Sequence, residues 1–231
     1  MALDGLNEFR GNTVEIEGWM TASAVISSLV ALDTQREIGI AGNFLEIGSW
    51  HGKSAALWLQ AAKSPETVTL MDIAARDELG ENMQRLSDRY GVACDIIKRS
   101  SLSYNEPIGK PRSMRVIHID GDHSAAGISN DIELTAGLLH PHGVMIIDDF
   151  MNPRFPQITE VTFDFVRRHT NRFSIVLVGG NKGFLVSAKF HDFWFEHFSK
   201  KLPDAFKACD EPMLTYEGSV QNRKCLCFRP A

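Results

Sequence analysis

Short apolar segments alternate with amphipathic segments over most of the chain, and this alternation predicts the fold. Five of the apolar segments are rich in Val, Ile and Leu without alternating polar positions, which is typical of strands covered on both faces. These predicted strands cover residues 43–49, 68–73, 93–99, 114–120 and 143–149. Helical patterns separate them at residues 53–62, 75–90 and 124–139. The alternation indicates βαβ units and a parallel sheet.

The pattern changes after the fifth predicted strand. A predicted helix over 156–169 leads to two apolar segments, 173–178 and 184–188, joined by a glycine-rich turn, and so short a turn requires antiparallel strands. We therefore predict an α/β, Rossmann-like fold with a seven-stranded, mostly parallel sheet, a C-terminal antiparallel hairpin and helices on both faces. The single predicted domain, 1–231, has an N-terminal helical cover (1–40), a core (41–188) and a C-terminal helix and tail (189–231).

Composition and charge narrow the choice of partners. The chain has 231 residues and a formal charge of −5, and its basic residues are scattered, which argues against nucleic acid and favours a small-molecule partner. It starts without an apolar signal segment and contains no apolar run of membrane-spanning length, so we expect no membrane partner and a cytoplasmic location. The aromatic-rich C-terminal helix, 191–206, is apolar enough for a subunit contact, so a homo-oligomer is one expectation.

The segment LEIGSWHGKSAAL, residues 45–57, ends like a phosphate-binding loop. Such a loop needs four residues between its glycines, but only three separate Gly48 from Gly52. The alternative is a strand-end acid, Glu46, followed by G-x-x-x-G. Such a turn lets a ligand approach the backbone, and the helix start can meet a carboxylate. A second strand-end acid, Asp72, stands where nucleoside-binding α/β folds hold ribose hydroxyls.

Acidic residues are densest at the ends of the fourth and fifth predicted strands, IHIDGDHS and GVMIIDDF. Adjacent parallel strands bring Asp120, Asp148 and Asp149 into one small volume, with Asp122 and His123 at its rim. Three close carboxylates need a cation to stay ionised, and an all-oxygen set suits Mg²⁺ first, or Ca²⁺ or Mn²⁺, rather than zinc. The alternative is that these aspartates cap helices or form ordinary turns.

With these motifs in place, the sequence resembles the class I S-adenosylmethionine (SAM)-dependent O-methyltransferases. Within them it is most similar to the metal-dependent group typified by catechol and caffeoyl-CoA methyltransferases, in the branch of macrocin O-methyltransferase-like sugar enzymes. The resemblance implies that Asp120, Asp148 and Asp149 hold the metal and that His123 is the general base. It also implies a set of residues around SAM: Trp19, Met20, Glu46, Gly48, Ser49, Gly52, Ser54, Asp72, Ser100 and Asp120.

The implied activity is transfer of a methyl group from SAM to a hydroxyl of a sugar, glycoside or vicinal diol, with a divalent metal assisting. The chain departs from the branch at Ser124-Ala125-Ala126, where relatives often carry an aromatic and an acidic residue, so the acceptor cannot be carried over. Two alternatives remain open: a metal-dependent hydroxylase-like relative of the same fold, and a SAM-binding protein without turnover.

Overall fold

The computed structural model describes residues 2–231, which form one continuous sheet with helices on both faces. Its nine strands are β1 Asn43–Ile47, β2 Thr67–Met71, β3 Ala93–Ile97, β4 Met114–Ile119, β5 Leu139–Asp148, β6 Phe173–Gly179, β7 Lys182–Ser187, β8 Met213–Val220 and β9 Arg223–Pro230. They lie in the order β3-β2-β1-β4-β5-β7-β6-β9-β8. Strands β1 to β5 are parallel, and β7 runs antiparallel to both of its neighbours. The predicted α/β class, parallel core and hairpin are confirmed.

The predicted count of seven strands is wrong, because the tail adds a second hairpin. Strands β8 and β9 pair antiparallel, and β9 runs parallel to β6, which extends the sheet at that side. Strand β8 is an edge strand without a fully buried residue, so its sequence lacks the continuous apolar run of a buried strand. Only β9 carries buried anchors, namely Cys225, Leu226 and Phe228. Tertiary packing therefore makes the tail a β-hairpin, although its hydrophobic pattern is weak.

Seven α-helices surround the sheet: α1 Ala2–Thr13, α2 Ala22–Glu37, α3 Lys53–Ala61, α4 Asp77–Tyr90, α5 Ala125–Ala136, α6 Pro156–Arg168 and α7 His191–Ala208. Helices α5 and α6 bury Ile128, Ile132 and Phe165 against one face. The other five helices contribute to the core on the opposite face. This arrangement leaves the carboxyl ends of the parallel strands uncovered by helix faces, which is where open α/β sheets bind ligands.

The aromatic residues of α7 pack against the core of the protein. Trp194 and Phe198 are fully buried, and Phe193 and Phe195, with Phe190 just before the helix, pack partly buried against the same core. The helix therefore offers no exposed aromatic patch for the predicted subunit contact, and the homo-oligomer stays an untested prediction. Across residues 2–231 no helix has both the length and the apolar composition that a bilayer crossing requires.

A buried ion pair holds the opposite end of the sheet, away from the strand ends that carry the acids. Arg115 binds both carboxylate oxygens of Glu66 at 2.8 and 2.9 Å, and both residues are less than 10% exposed. The same guanidinium donates to Gln35 and lies over the ring of Phe44. The bidentate geometry and the extra acceptors meet the needs of two buried charges.

Candidate active site

A cavity of about 770 Å³ opens at the carboxyl ends of β1, β2, β4 and β5. It brings together most of the residues that the sequence predicted for the site. Those that line it are Trp19, Met20, Gly48, Ser49, Ser54, Asp72, Ser100, Asp120, His123, Asp148 and Asp149. The predicted residues outside its lining are Glu46 and Gly52.

The glycine loop is shaped by backbone that only glycine adopts readily. Gly48 has a φ of +85°, and a Cβ added there would lie 1.9 Å from the carbonyl oxygen of Asp120. Gly52 has a φ of +90°, and its added Cβ would meet the Met83 side chain at 2.5 Å. The first glycine therefore lets β1 and β4 approach each other at the cavity floor, and the second fits the loop against α4.

The start of α3 has no side-chain cap and lies at the cavity. Gly52 precedes the helix in a left-handed conformation and provides no side-chain cap. The backbone amides of the first turn therefore remain available as hydrogen-bond donors. Lys53 and Ser54 of this turn line the cavity. The hydroxyl of Ser49, a residue that is 4% exposed, has no hydrogen-bond partner among residues 2–231. An uncapped helix start beside an unsatisfied buried hydroxyl fits the carboxylate of an amino-acid ligand such as the methionine end of SAM.

Glu46 lies beneath this loop rather than on the cavity wall. The resemblance placed it among the residues around SAM, but it is fully buried and its carboxylate already has three partners. Ser54 Oγ donates to one oxygen at 3.0 Å, and Trp58 Nε1 donates to the other at 2.5 Å. His118 Nδ1 lies 3.0 Å from the second oxygen. Because a buried carboxylate must be paired, Glu46 holds the loop from below.

Asp72, predicted to accept ribose hydroxyls, braces the glycine loop as well. One of its oxygens accepts from the backbone amides of Ser49 and Trp50 at 2.8 and 2.7 Å, and the other accepts from the amide of Ala74. Trp50 in turn stacks on Trp19 with ring centroids 5.2 Å apart, and Trp19 is 84% exposed at the cavity mouth. The N-terminal segment thus reaches the cavity, as predicted, through Trp19.

Residues at the β6–β7 turn and at the start of β7 contact the two consecutive aspartates at the end of β5. Asn181 donates to Asp149 Oδ1 at 2.5 Å, and Lys182 Nζ lies 2.5 Å from Asp148 Oδ2. Sequence reasoning treated this turn only as a hairpin connection and missed both residues. The available signal was a lysine at the start of a buried strand that pairs antiparallel with β5, because that register sets Asp148 opposite Lys182.

The pKa values of Asp120 and Asp148 in the acidic cluster differ because the surroundings of the two carboxyl groups differ. Burial is the main cause that raises the pKa of Asp120 to about 6. Burial acts in the same direction on Asp148, but the charges of Lys182 and His118, with hydrogen bonds to Lys182 and Asp120, outweigh it and lower the pKa of Asp148 to about 2. Asp148 therefore stays ionised at neutral pH, whereas Asp120 lies near the point at which it takes up a proton.

His123 stands at the rim with its ring stacked on Phe155 at a centroid distance of 4.3 Å. Its Nε2 lies 3.0 Å from Asp149 Oδ2 and 3.8 Å from Asp120 Oδ1. Asp120 raises the pKa of His123 most, partial burial opposes it, and the charge of Asp149 adds to the increase. The imidazole thus packs on Phe155 on one side and faces two carboxylates on the other, and its Nε2 forms no hydrogen bond among residues 2–231.

The donor atoms fit a divalent ion, although not in the predicted trio. Within residues 2–231 two sets bring three ligand atoms within 4.8 Å of one another: His118 with Asp120 and Asp148, and Asp120 with His123 and Asp149. Neither set contains Asp120, Asp148 and Asp149 together, because Asp148 turns toward Lys182. Each set offers two carboxylates and one imidazole, a mixture that suits Mn²⁺ or Mg²⁺, and the second set is the less buried of the two.

Comparison with known proteins agrees with this architecture. Residues 45–150 match the family model of a methyltransferase domain. That stretch begins in β1, before the glycine loop, and ends after Asp149, so it contains both halves of the cavity floor. An uncharacterized protein of Acanthamoeba polyphaga mimivirus is 26% identical over 160 aligned residues, which cover 62% of this chain and 71% of that protein.

Two solved O-methyltransferases share the fold at low sequence identity. The TDP-rhamnose 3′-O-methyltransferase of calicheamicin biosynthesis is 9% identical with a TM-score of 0.54, over 79% of this chain and 93% of that one. The O-methyltransferase NovP is 13% identical with a TM-score of 0.55, over 80% of this chain and 97% of that one. The fold is therefore the Rossmann-like methyltransferase fold.

Proposed function

We propose that this protein is a SAM-dependent O-methyltransferase that acts on a hydroxyl of a small molecule, with a divalent metal assisting. The observation that carries the proposal is one continuous cavity that joins the glycine loop and Asp72 to the cluster of Asp120, His123 and Asp149. The match of residues 45–150 to a methyltransferase domain supports the cofactor class. The two structural relatives support oxygen as the acceptor atom, and the TDP-rhamnose enzyme favours a sugar or glycoside.

The chain's own residues bind and align the reactants. The uncapped start of α3 and the Ser49 hydroxyl hold the carboxylate of SAM, the donor of the methyl group. Ser100 and Asp72 lie along the cavity wall on the nucleoside side, and Trp19 covers the mouth. Alignment matters most here because methyl transfer is an in-line displacement that needs no covalent help from the protein.

The acceptor hydroxyl must lose a proton as it attacks, and His123 is placed to receive it. Its Nε2 faces Asp149 and Asp120, whose charges stabilise the imidazolium that forms. Asp120 and Asp149 would hold the divalent ion, and an ion bound there lowers the pKa of a hydroxyl that it contacts. Phe155, stacked on His123, fixes the ring plane toward the cavity.

Transfer of labelled methyl groups tests the function directly. The purified protein is incubated with methyl-labelled SAM and a panel of polyhydroxylated sugars, glycosides and catechols, with and without chelator and under anaerobic conditions. We expect labelled ether products without oxygen and a loss of product with chelator. Product that requires oxygen would identify a hydroxylase. Activity that is unchanged by chelator would contradict the role of the metal, and a failure to bind millimolar SAM would contradict the proposed enzyme activity.

A matched pair of histidine variants checks the assigned base. His123→Ala is expected to abolish most of the label transfer. His140→Ala serves as the control, because His140 lines a separate cavity at the start of β5. Equal losses in the two variants would show that the effect of His123 is not specific to the site.

A further inference from the structure

Lys182 is a buried cation in the wall of the cavity. It is 3% exposed, and its ammonium lies 2.5 Å from Asp148 Oδ2 and 3.1 Å from His118 Nε2. His118 is itself fully buried and reaches Glu46 through its other ring nitrogen at 3.0 Å. A buried lysine costs several kcal/mol unless it is paired, so these contacts account for its charge.

This polar chain crosses four adjacent strands on one face of the sheet. Glu46 of β1 is in register with His118 of β4, and Asp148 of β5 is in register with Lys182 of β7. His118 is in register with Ile146, two residues before Asp148, so both side chains emerge on the same face. The sheet itself therefore fixes the ammonium beside Asp148, independently of any loop movement.

The position of Lys182 separates the two candidate cation sets. In the set of His118, Asp120 and Asp148, two of the three ligand groups already contact the ammonium. A second cation bound there would compete with the ammonium for the same ligand groups and be repelled by its positive charge. In the set of Asp120, His123 and Asp149, the two carboxylates form ion pairs with His123, and neither pairs with a lysine or arginine among residues 2–231.

We propose that Lys182 is the resident cation of the acidic cluster and withdraws Asp148 from metal binding. Asp120 and Asp149 are then the carboxylates left to hold a divalent ion at the cavity. The assignment of Asp120 and Asp149 as metal ligands rests on the metal dependence in the proposed function, whereas the pairing of Lys182 with Asp148 does not. Lys182 is thus a positioning residue, which fixes the Asp148 carboxylate without touching a reactant.

A double-mutant cycle in the presence of chelator tests the pairing. The melting temperatures of the wild type, Lys182→Met, Asp148→Asn and the double variant are compared, with exposed Lys189→Met as the control. Each single substitution leaves one buried polar partner alone, so we expect the double variant to lose clearly less than the sum of the two. Additive losses would overturn the pairing. If Lys182→Met does not fold, a folded double variant supports the pairing and an unfolded one contradicts it.

Binding of Mn²⁺, followed by the electron paramagnetic resonance signal of the free ion, tests which aspartates bind the metal. We expect Asp148→Asn to bind Mn²⁺ within about threefold of the wild type, whereas Asp149→Asn loses at least about tenfold. Equal losses in these two variants would overturn the withdrawal of Asp148. If the wild type binds no Mn²⁺, the metal dependence in the proposed function is contradicted. The double-mutant cycle would still test the pairing of Lys182 with Asp148.

Discussion

Replacing Gly48 by alanine tests whether the contact between β1 and β4 builds the cavity floor. The added Cβ would lie 1.9 Å from the carbonyl oxygen of Asp120, whereas Cβ contacts below 3.0 Å are essentially never observed. The backbones must therefore separate by more than 1 Å. That movement strains the hydrogen bond from the Asp120 amide to the Ile47 carbonyl, which is 2.8 Å long.

The expected magnitude follows from three contributions. A left-handed alanine costs about 1–2 kcal/mol, overpacking against backbone costs about 1–3 kcal/mol, and a weakened hydrogen bond costs about 1 kcal/mol. The sum is about 3–6 kcal/mol. Gly91 offers a matched control, because its φ is +64° and an added Cβ would meet no atom within 4 Å. Gly91→Ala should therefore cost only the conformational contribution of about 1–2 kcal/mol.

Urea denaturation of both variants, with calorimetry of SAM binding, checks the prediction. We expect Gly48→Ala to be less stable than Gly91→Ala by at least about 2 kcal/mol. SAM affinity should fall in Gly48→Ala alone, because the loop that carries Ser49 must shift. Equal destabilisation, or SAM affinity that is unchanged in a folded Gly48→Ala protein, would refute the reasoning.

Three further predictions concern His123, Asp120 and Arg115. His123→Ala should lower turnover by about two to four orders of magnitude, as loss of a general base does, while calorimetry shows nearly unchanged SAM affinity; unchanged turnover would contradict it. The folded protein raises the pKa of Asp120 to about 6, so its ionisation opposes folding increasingly as pH rises from about 4 through 6. Asp120→Asn should therefore stabilise the protein by about 1–3 kcal/mol at pH 7.5 and by much less at pH 4.5 in urea titrations, while methyl transfer is lost; a destabilised variant at pH 7.5 would contradict this. Arg115→Met should lower the free energy of unfolding by about 3–5 kcal/mol, because Glu66 stays buried without its partner, and a loss below about 1 kcal/mol in the same assay would be evidence against it.

Much of the fold follows from local patterns in the sequence. The five parallel strands were predicted because continuous apolar runs separated by amphipathic helices have few other solutions. The two tail strands were missed because β8 is an exposed edge with no such run. Its partner β9 depends on the packing of Phe228 against α7, including a ring contact with Phe206 at 5.0 Å. Contacts between residues so distant along the chain leave no local signal.

The cavity shows the same division between local signal and tertiary contact. Strand-end acids and the glycine loop could be predicted as neighbours, because parallel strands end together at one edge. The partner of each acid could not be predicted in this way. Glu46 was assigned to the cofactor and is instead bound by Trp58 and His118 beneath the loop. Asp148 was assigned to a metal, and its pairing with Lys182 could not be predicted.

The sequence by itself determined the α/β class, the edge of the sheet where the cavity lies and the residue types that line it. Those properties depend on hydrophobic periodicity and on glycine, which act within a few residues. Only the tertiary structure decided which partner each carboxylate has. That choice depends on register between β1, β4, β5 and β7, which sets a histidine and a lysine from distant parts of the chain beside Glu46 and Asp148.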